Sequence, residues 1–232
     1  MKNILITGIS RGIGKALAQK FVAEGHNVIG TSTTKDIDFS HDKLKVYLLD
    51  LSSPNSIKSS AKEITDSNTN IDIMINNAGV LFDEDETCII IEKLRQTLEI
   101  NLVGTIDFTE QIIPLINKDG HIINISSSAG SLGNKNLTEI DFVKSSHFPF
   151  HYPAYKISKA AINMYTRTLA ARFINEKRPI TVSSVHPGWV KTDMGGLEAD
   201  IIPTEAAKNI YDLAISQPET GQFWFKGEKY PW

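Results

Sequence analysis

Short apolar runs alternate along the 232-residue chain with longer stretches whose apolar residues recur at helical spacing. The short runs predict seven strands, at Lys2–Thr7, Asn27–Thr31, Lys45–Leu49, Ile71–Ile75, Gly120–Ser126, Ile180–Val185 and Gln222–Phe225. Helices are predicted from Ile13 to Val22, from Pro54 to about Asp66, from Glu92 to Asn117, from about Pro153 to Asn175 and from Pro203 to Ile215. The alternation predicts a single α/β domain over residues 1–232, with one doubly wound parallel sheet and helices on both faces.

Two places depart from a regular pattern. Only about a dozen residues separate the second and third predicted strands, so any helix between them must be very short. Asn101 lies in the middle of the predicted helix Glu92–Asn117, although asparagine is unfavourable inside a helix. It is either a tolerated polar residue or the mark of a functional break.

A glycine-rich turn connects the first strand to the first helix, with the sequence Thr7-Gly-Ile-Ser-Arg-Gly-Ile-Gly14. Gly8 allows a tight turn, Gly12 lets the backbone approach a pyrophosphate, and Gly14 lets the helix pack closely on the strand. The turn therefore predicts a dinucleotide whose phosphates lie at the helix N-terminus.

The end of the second strand bears on which dinucleotide is bound. An acid there would hydrogen-bond the 2′-hydroxyl of NAD, but Thr31 to Lys35 contains none, and the first acid is Asp36. Hydroxyl groups such as that of Thr33, together with Lys35 and Arg11, would accommodate a 2′-phosphate. We therefore expect NADP, with NAD less favoured; the alternative is a solvated polar loop.

Residues 152–161 contain two Tyr-x-x-x-Lys pairs, Tyr155 with Lys159 and Tyr152 with Lys156. Positions i and i+4 lie on the same face of a helix, so a lysine there would lower the pKa of the tyrosine and prepare it for proton transfer. Tyr152 precedes Pro153, which favours an extended conformation at the edge of the helix. The sequence therefore favours Tyr155 with Lys159, although a lone pair of this kind is usually an ordinary surface pair.

Several polar residues follow the predicted strands directly, among them Thr7, Asp50, Asn77 and Ser127. Ligands of open α/β sheets bind outside the carboxyl ends of the strands. These residues are therefore expected to border the ligand.

The composition of the chain limits the classes of partner that the protein is expected to bind. A net charge of −3 and a pI near 6.1 give no electrostatic footprint for nucleic acid. No apolar run reaches the length of a membrane span or signal peptide, and the one cysteine, Cys88, suits a reducing compartment. We expect a cytoplasmic protein that binds neither membrane nor nucleic acid, and we predict no metal site.

These motifs, in this order and spacing, resemble the short-chain dehydrogenase/reductase family over nearly the whole chain, and the resemblance implies a Rossmann-type fold. The family's Tyr-x-x-Ser-Lys form matches Tyr155 to Lys159 through Ser158. The stretch Trp189–Gly196 and the C-terminal residues 221–232 look like the branch of C-factor and sniffer carbonyl reductases, and residues 10–14 and 30–33 also resemble NADP-dependent ketoacyl reductases.

The resemblance implies a catalytic group of Asn101, Ser127, Tyr155 and Lys159. Tyr155 would be the acid or base, Lys159 would lower its pKa and hold the nicotinamide ribose, Ser127 would bind the carbonyl oxygen, and Asn101 would hold a water. Ser126 and Ser128 are the alternatives to Ser127, which is chosen because it lies one residue past the strand-end Asn-Ile-Ser. The implied cofactor-binding residues are Gly8, Ser10, Arg11, Gly12, Ile13, Gly14, Thr31, Thr33, Asp50, Leu51, Asn77, Ala78, Gly79, Tyr155, Lys159, Pro187, Gly188, Val190 and Thr192.

One departure from the family pattern is the length of chain between Ser127 and Tyr155. The extra segment, residues 134–151, is either a surface loop or part of the substrate pocket. An insertion here also bears on the usual helix-pairing interface and so puts a homotetramer in doubt. Both a homodimer and a homotetramer are kept as expected assemblies.

Two functions are carried forward. The first is NADP-dependent reduction of a small carbonyl compound to an alcohol, or the reverse oxidation. The alternative is a non-enzymatic signalling or redox-sensing protein of the C-factor type, which would have no reason to keep the asparagine, serine, tyrosine and lysine together.

Overall fold

The computed structural model describes residues 1–133 and 151–232. In this part of the chain, eight strands form one sheet in the order β3-β2-β1-β4-β5-β6-β7-β8. The strands are β1 (Asn3–Thr7), β2 (Asn27–Ser32), β3 (Leu44–Leu48), β4 (Ile71–Asn76), β5 (Ile116–Ile125), β6 (Thr181–Val185), β7 (Gln222–Phe225) and β8 (Glu228–Lys229). All pairings are parallel except that of β7 with β8. The predicted doubly wound sheet is confirmed, with the short β8 added at its edge.

Helices cover both faces of the sheet. They are α1 (Gly12–Ala23), α2 (Pro54–Asp66), α3 (Ile91–Leu98), α4 (Thr105–Ile112), α5 (Pro153–Asn175) and α6 (Pro203–Ile215). One core layer joins α2, α4 and α5 to one side of the strands, and the other joins α1 and α6 to the opposite side. Successive residues of β1 enter different layers, Ile4 and Ile6 one and Leu5 the other, because side chains alternate across a strand.

The predicted helix Glu92–Asn117 is wrong as one continuous element. It is divided into α3, a π-helical segment Glu99–Gly104, α4 and a 3₁₀ turn Ile113–Leu115. The π-helical segment contains Asn101. Its side-chain amide hydrogen-bonds both the N–H and the carbonyl oxygen of Val80. β5 then begins at Ile116, earlier than predicted.

Two local expectations meet different outcomes. Residues 33–43, between β2 and β3, contain no helix, in keeping with the short connection. Tyr152, however, is not extended: it is the N-cap of α5 in the left-handed region, with φ 47° and ψ 54°. None of the helices in the described ranges is long and apolar enough to cross a membrane.

Candidate active site

The carboxyl ends of six neighbouring strands bring the predicted site residues to one edge of the sheet. The glycine turn follows β1, Thr31 is the penultimate residue of β2 with Thr33 just beyond that strand, and Asp50 and Leu51 follow β3. Asn77, Ala78 and Gly79 follow β4, Ser127 follows β5, and Pro187 to Thr192 follow β6. Because these strands run parallel, every loop opens on the same side.

The glycine turn has the backbone that the sequence requires. Gly8 has a φ of +73° and Gly12 a φ of +56°, values that glycine adopts at little cost. A Cβ at Gly14 would lie 2.0 Å from the carbonyl oxygen of Gly8 and 2.4 Å from Asn77 Nδ2. Only glycine therefore allows α1 to begin this close to the turn and to β4.

Thr7 and Asn77 fasten the turn to the loop after β4. The Thr7 hydroxyl accepts the backbone N–H groups of Asn77 and Ala78, each at 3.0 Å. In return, Asn77 Nδ2 donates to the carbonyl oxygens of Thr7 at 2.9 Å and Gly8 at 3.1 Å. The Asn77 side chain is thus committed to organising the turn.

The N-terminus of α1 has no side-chain cap, since its N-cap residue Arg11 makes no such bond. The first N–H groups of a helix have no partner within the helix, and their partial positive charge favours an anion. Arg11 itself forms an exposed ion pair with Asp193 at 3.0 Å. A Cβ at Gly12 would lie 3.2 Å from Thr192 Cγ2, so the loop after β6 lies directly over the turn.

Beyond β2, the two predicted threonines have different environments. Thr31 is buried, and its carbonyl oxygen accepts the N–H groups of Gly8 and Ile9. Thr33 and Lys35 are exposed. Asp38, an acid further along this loop, pairs with Lys15 of α1 at 2.7 Å, and that ammonium group holds the pKa of Asp38 below its usual value.

The remaining predicted cofactor-binding residues include buried apolar side chains as well as the exposed side chain of Asp50. Leu51 and Val190 are buried, and Ile13 packs against Val190 and Ile201. The exposed Asp50 uses one carboxylate oxygen to accept both the N–H and the hydroxyl of Ser52. Its other oxygen is the acceptor that remains available on this side chain.

Tyr155, Lys159 and Ser127 form one group at the start of α5. The Lys159 ammonium is 5.4 Å from the centroid of the Tyr155 ring, and Lys159 Nζ donates to the carbonyl oxygen of Ile125 at 2.9 Å. The Ser127 hydroxyl acts on the Tyr155 phenol in the direction that lowers its pKa. Ser126 instead donates to the carbonyl oxygen of Lys159 and is buried, so Ser127 is the serine that the fold brings to the tyrosine.

Burial controls the protonation of this group. It raises the pKa of Tyr155 to about 12, while the hydrogen bond from Ser127 acts in the opposite direction. Tyr155 is half-buried as a whole residue, and desolvation is the dominant influence on the pKa of its phenol. Burial also lowers the pKa of Lys159 to about 8. Desolvation therefore dominates the pKa of Tyr155, and the role of Lys159 in lowering that pKa stays a prediction.

Asn101 connects the π-helical segment to this group. Its Nδ2 donates to Ser158 Oγ at 3.1 Å, and Ser158 Oγ donates to the carbonyl oxygen of Tyr155 at 2.7 Å. A Cβ at Gly79 would lie 3.3 Å from Asn101 Oδ1 and 3.7 Å from Lys159 Nζ. All four residues of the catalytic group implied by the resemblance, Asn101, Ser127, Tyr155 and Lys159, thus lie at one site.

Comparison with known proteins agrees with this geometry. A family model described as enoyl-(acyl carrier protein) reductase matches residues 8–212, from the glycine turn to α6. The chain belongs to the short-chain dehydrogenase/reductase family. The family assignment made from the motifs is therefore confirmed.

Relatives within the short-chain dehydrogenase/reductase family include two kinds of reductase. The 3-oxoacyl-[acyl-carrier-protein] reductase FabG of Vibrio cholerae is 31% identical over 200 residues, 83% of this chain and 75% of that protein. Carbonyl reductase [NADPH] 1 of Mus musculus is 27% identical over 270 residues, 98% of this chain and 97% of that protein. The structure of carbonyl reductase Sniffer of D. melanogaster superposes with a TM-score of 0.84 at 25% identity and covers 100% of both chains. The resemblance to the sniffer-like branch is confirmed.

Sequence reasoning missed two polar residues that shape this short-chain dehydrogenase/reductase site. Ser158 was visible as the serine of the Tyr-x-x-Ser-Lys form, but nothing in the sequence gave its bond to Asn101. Asp83 contacts the start of α5, and no motif marks it. The segment 134–151, expected to border the pocket or the surface, lies outside the described residues except for His151.

Proposed function

We propose that this chain is an NADP(H)-dependent oxidoreductase that reduces an aldehyde or ketone to an alcohol, with Tyr155 as the proton donor. One observation carries the proposal: at the carboxyl edge of the sheet, the Lys159 ammonium lies 5.4 Å from the centroid of the Tyr155 ring, and the Ser127 hydroxyl acts to lower the pKa of the Tyr155 phenol. Two hydroxyl groups next to a cation can stabilise a substrate oxygen on which negative charge develops during the reaction. The substrate is therefore a small carbonyl or alcohol molecule.

The residues present fit a dinucleotide. The uncapped N-terminus of α1 and the backbone from Gly12 to Gly14 suit its pyrophosphate. The free oxygen of Asp50 suits the adenine, and the space that a Cβ at Gly79 would fill lies next to Lys159. Pro187 to Thr192 border the site from the β6 side.

The exposed Thr33 and Lys35, with Arg11 nearby in the turn, support NADP over NAD. Asp38 does not oppose a 2′-phosphate strongly, because Lys15 balances its charge. The carbonyl reductase relative of mouse is itself named for NADPH.

When bound, NADPH supplies a hydride to the carbonyl carbon. The Ser127 and Tyr155 hydroxyl groups bind the carbonyl oxygen, and the Tyr155 phenol gives its proton to that oxygen. A pKa of about 12 keeps Tyr155 protonated at neutral pH, as a donor must be. Lys159, with a pKa of about 8, is charged at neutral pH and stabilises the phenolate that remains.

The decisive experiment compares two tyrosine variants on a panel of aldehydes, ketones, quinones and 3-oxoacyl thioesters, with NADPH oxidation as the readout. Tyr155→Phe removes the proton donor and is expected to lower kcat/KM by about 100- to 10,000-fold, with little change in the Kd for NADPH. Tyr152→Phe is the matched control, because it keeps the ring that packs edge-on against Tyr155 at 6.1 Å and should retain activity.

Turnover by Tyr155→Phe would contradict the catalytic assignment. Tight NADPH binding without turnover of any substrate would favour the non-enzymatic signalling or sensing function. The same titrations with NADH examine the cofactor: equal affinity for NADH and NADPH would contradict the role given to Thr33 and Lys35. Homodimer or homotetramer formation and a cytoplasmic location stay predictions.

A further inference from the structure

The helix that carries Tyr155 and Lys159 begins without a cap of its own. Its N-cap residue is Tyr152, whose side chain makes no capping bond and whose backbone is left-handed. Pro153, the next residue, has no N–H group. The first turn of this helix therefore depends on partners from elsewhere in the chain.

Those partners come from the loop between β4 and α3. Asp83 Oδ2 accepts the backbone N–H of Ala154 at 2.6 Å, across 71 residues of sequence. The carbonyl oxygen of Glu86 accepts the N–H of Tyr152 at 3.0 Å. Because Pro153 has no donor, residues 83–86 accept every backbone N–H from Tyr152 to Ala154.

Asp83 is an unusual residue for this position. It is 1% exposed, and its second oxygen, Oδ1, has no hydrogen-bond partner among the residues that the structure describes. A buried carboxylate with an unpaired oxygen lowers stability unless its surroundings compensate. The positive end of α5 provides such compensation, and so does the charge of Lys156, whose pKa is lowered mainly by burial and raised in part by Asp83.

The bond from Asp83 is next to the reacting residue. Ala154 immediately precedes Tyr155 and is buried. On the other side, Ser158 Oγ donates to the carbonyl oxygen of Tyr155. The backbone of Tyr155 is therefore held from both directions, by Asp83 through the preceding N–H and by Asn101 through Ser158.

We propose that Asp83 is a positioning residue of the active site, and that its carboxylate caps the catalytic helix from outside and holds the Tyr155 phenol against Ser127. This inference rests on the proposed function, since it assigns Tyr155 the proton transfer. It predicts that losing the cap displaces the phenol more than it disturbs the dinucleotide site, because the bonds between Thr7 and Asn77 fasten the glycine turn to the first residues of the loop, away from Asp83.

The test uses the full chain with three substitutions. Asp83→Ala removes the acceptor, and a displaced catalytic group is expected to lower kcat by about 10- to 100-fold, with the Kd for NADPH changed less than about threefold. Asp83→Asn keeps an acceptor oxygen and should retain kcat within about threefold of the parent chain. Asp85→Ala removes a carboxylate from the same loop, but an exposed one, and should change neither quantity.

Amide hydrogen exchange gives a readout that does not need turnover. The N–H of Ala154 is expected to exchange faster in Asp83→Ala and at the parent rate in Asp85→Ala. Parent kcat, or parent exchange at Ala154, in Asp83→Ala would overturn the proposal, as would equal losses of kcat and NADPH affinity. If Asp83→Ala does not fold, Asp83→Asn decides: normal protection of Ala154 with normal kcat supports the cap, and normal protection with lost kcat overturns it.

If the parent chain has no carbonyl reductase activity, the proposed function fails, while exchange at Ala154 still tests the cap.

Discussion

Replacement of Thr7 by Val tests whether a single hydroxyl group organises the dinucleotide edge of the sheet. Thr7 is 2% exposed, and its hydroxyl accepts the N–H groups of Asn77 and Ala78. Valine keeps the shape of the side chain but leaves both donors without this acceptor. Each buried donor left unsatisfied costs about 1–3 kcal/mol. Because Asn77 and Ala78 are only partly buried, water can reach them, and we expect the low end, about 2 kcal/mol for the pair.

The assay is urea unfolding followed by tryptophan fluorescence, together with a titration of NADPH into the folded variant. We expect the free energy of unfolding to fall by about 2 kcal/mol and NADPH affinity to fall, because the loop after β4 borders the proposed ribose site. Thr7→Ser is the matched control, since it keeps the hydroxyl and loses only a methyl group. If Thr7→Val were as stable and as tight a binder as Thr7→Ser, the hydroxyl would not be what joins β1 to this loop.

Two further predictions concern the turn and the core. Gly14→Ala places a Cβ 2.0 Å from the Gly8 carbonyl oxygen. Overpacking of about 1–3 kcal/mol should weaken NADPH binding by about ten- to hundredfold. Gly227→Ala, whose Cβ meets open space, should leave NADPH affinity unchanged, and equal affinities of the two variants would contradict the close-packing argument. His121 is buried and its pKa is lowered to about 4 by desolvation, so the unfolded chain binds the proton more strongly and stability is lost as pH falls from about 6.5 towards 4. We expect His121 to lower the free energy of unfolding by about 2 kcal/mol between pH 7 and pH 5, measured by urea unfolding. If His121→Gln lost as much stability between these pH values as the parent chain, the role of His121 would be refuted.

The local sequence pattern was sufficient to predict the order of the strands and helices along the chain. Period-two and apolar runs identify strands, amphipathic runs identify helices, and Pro54, Pro153 and Pro203 begin helices as their fixed φ favours. Parallel strands then require that every strand-end residue share one edge of the sheet. For this reason the site could be located before any contact was known.

The same local information failed where distant residues compete with the helix. The sequence from Glu92 to Asn117 has a continuous helical period, yet Asn101 bonds Val80 and Ser158, which are 21 and 57 residues away, and a π-helical segment replaces the regular helix. Tyr152 is left-handed, contrary to the preference set by the following proline, and its N–H donates to the carbonyl oxygen of Glu86 in a distant loop.

The protonation of the site also depends on tertiary structure. Spacing alone placed Lys159 beside Tyr155, and the fold does bring them together. Burial, which no spacing reveals, reverses the expected direction and raises the pKa of Tyr155. The sequence by itself thus determined the fold class and the glycine turn and nominated Tyr155 and Lys159 as the candidate pair, since these follow from short-range periodicity and spacing. Only the tertiary structure decided the π-helical break, the contact of Asp83 with the catalytic helix and the directions of the pKa shifts, because each depends on contacts between residues far apart in the chain or on exclusion of water.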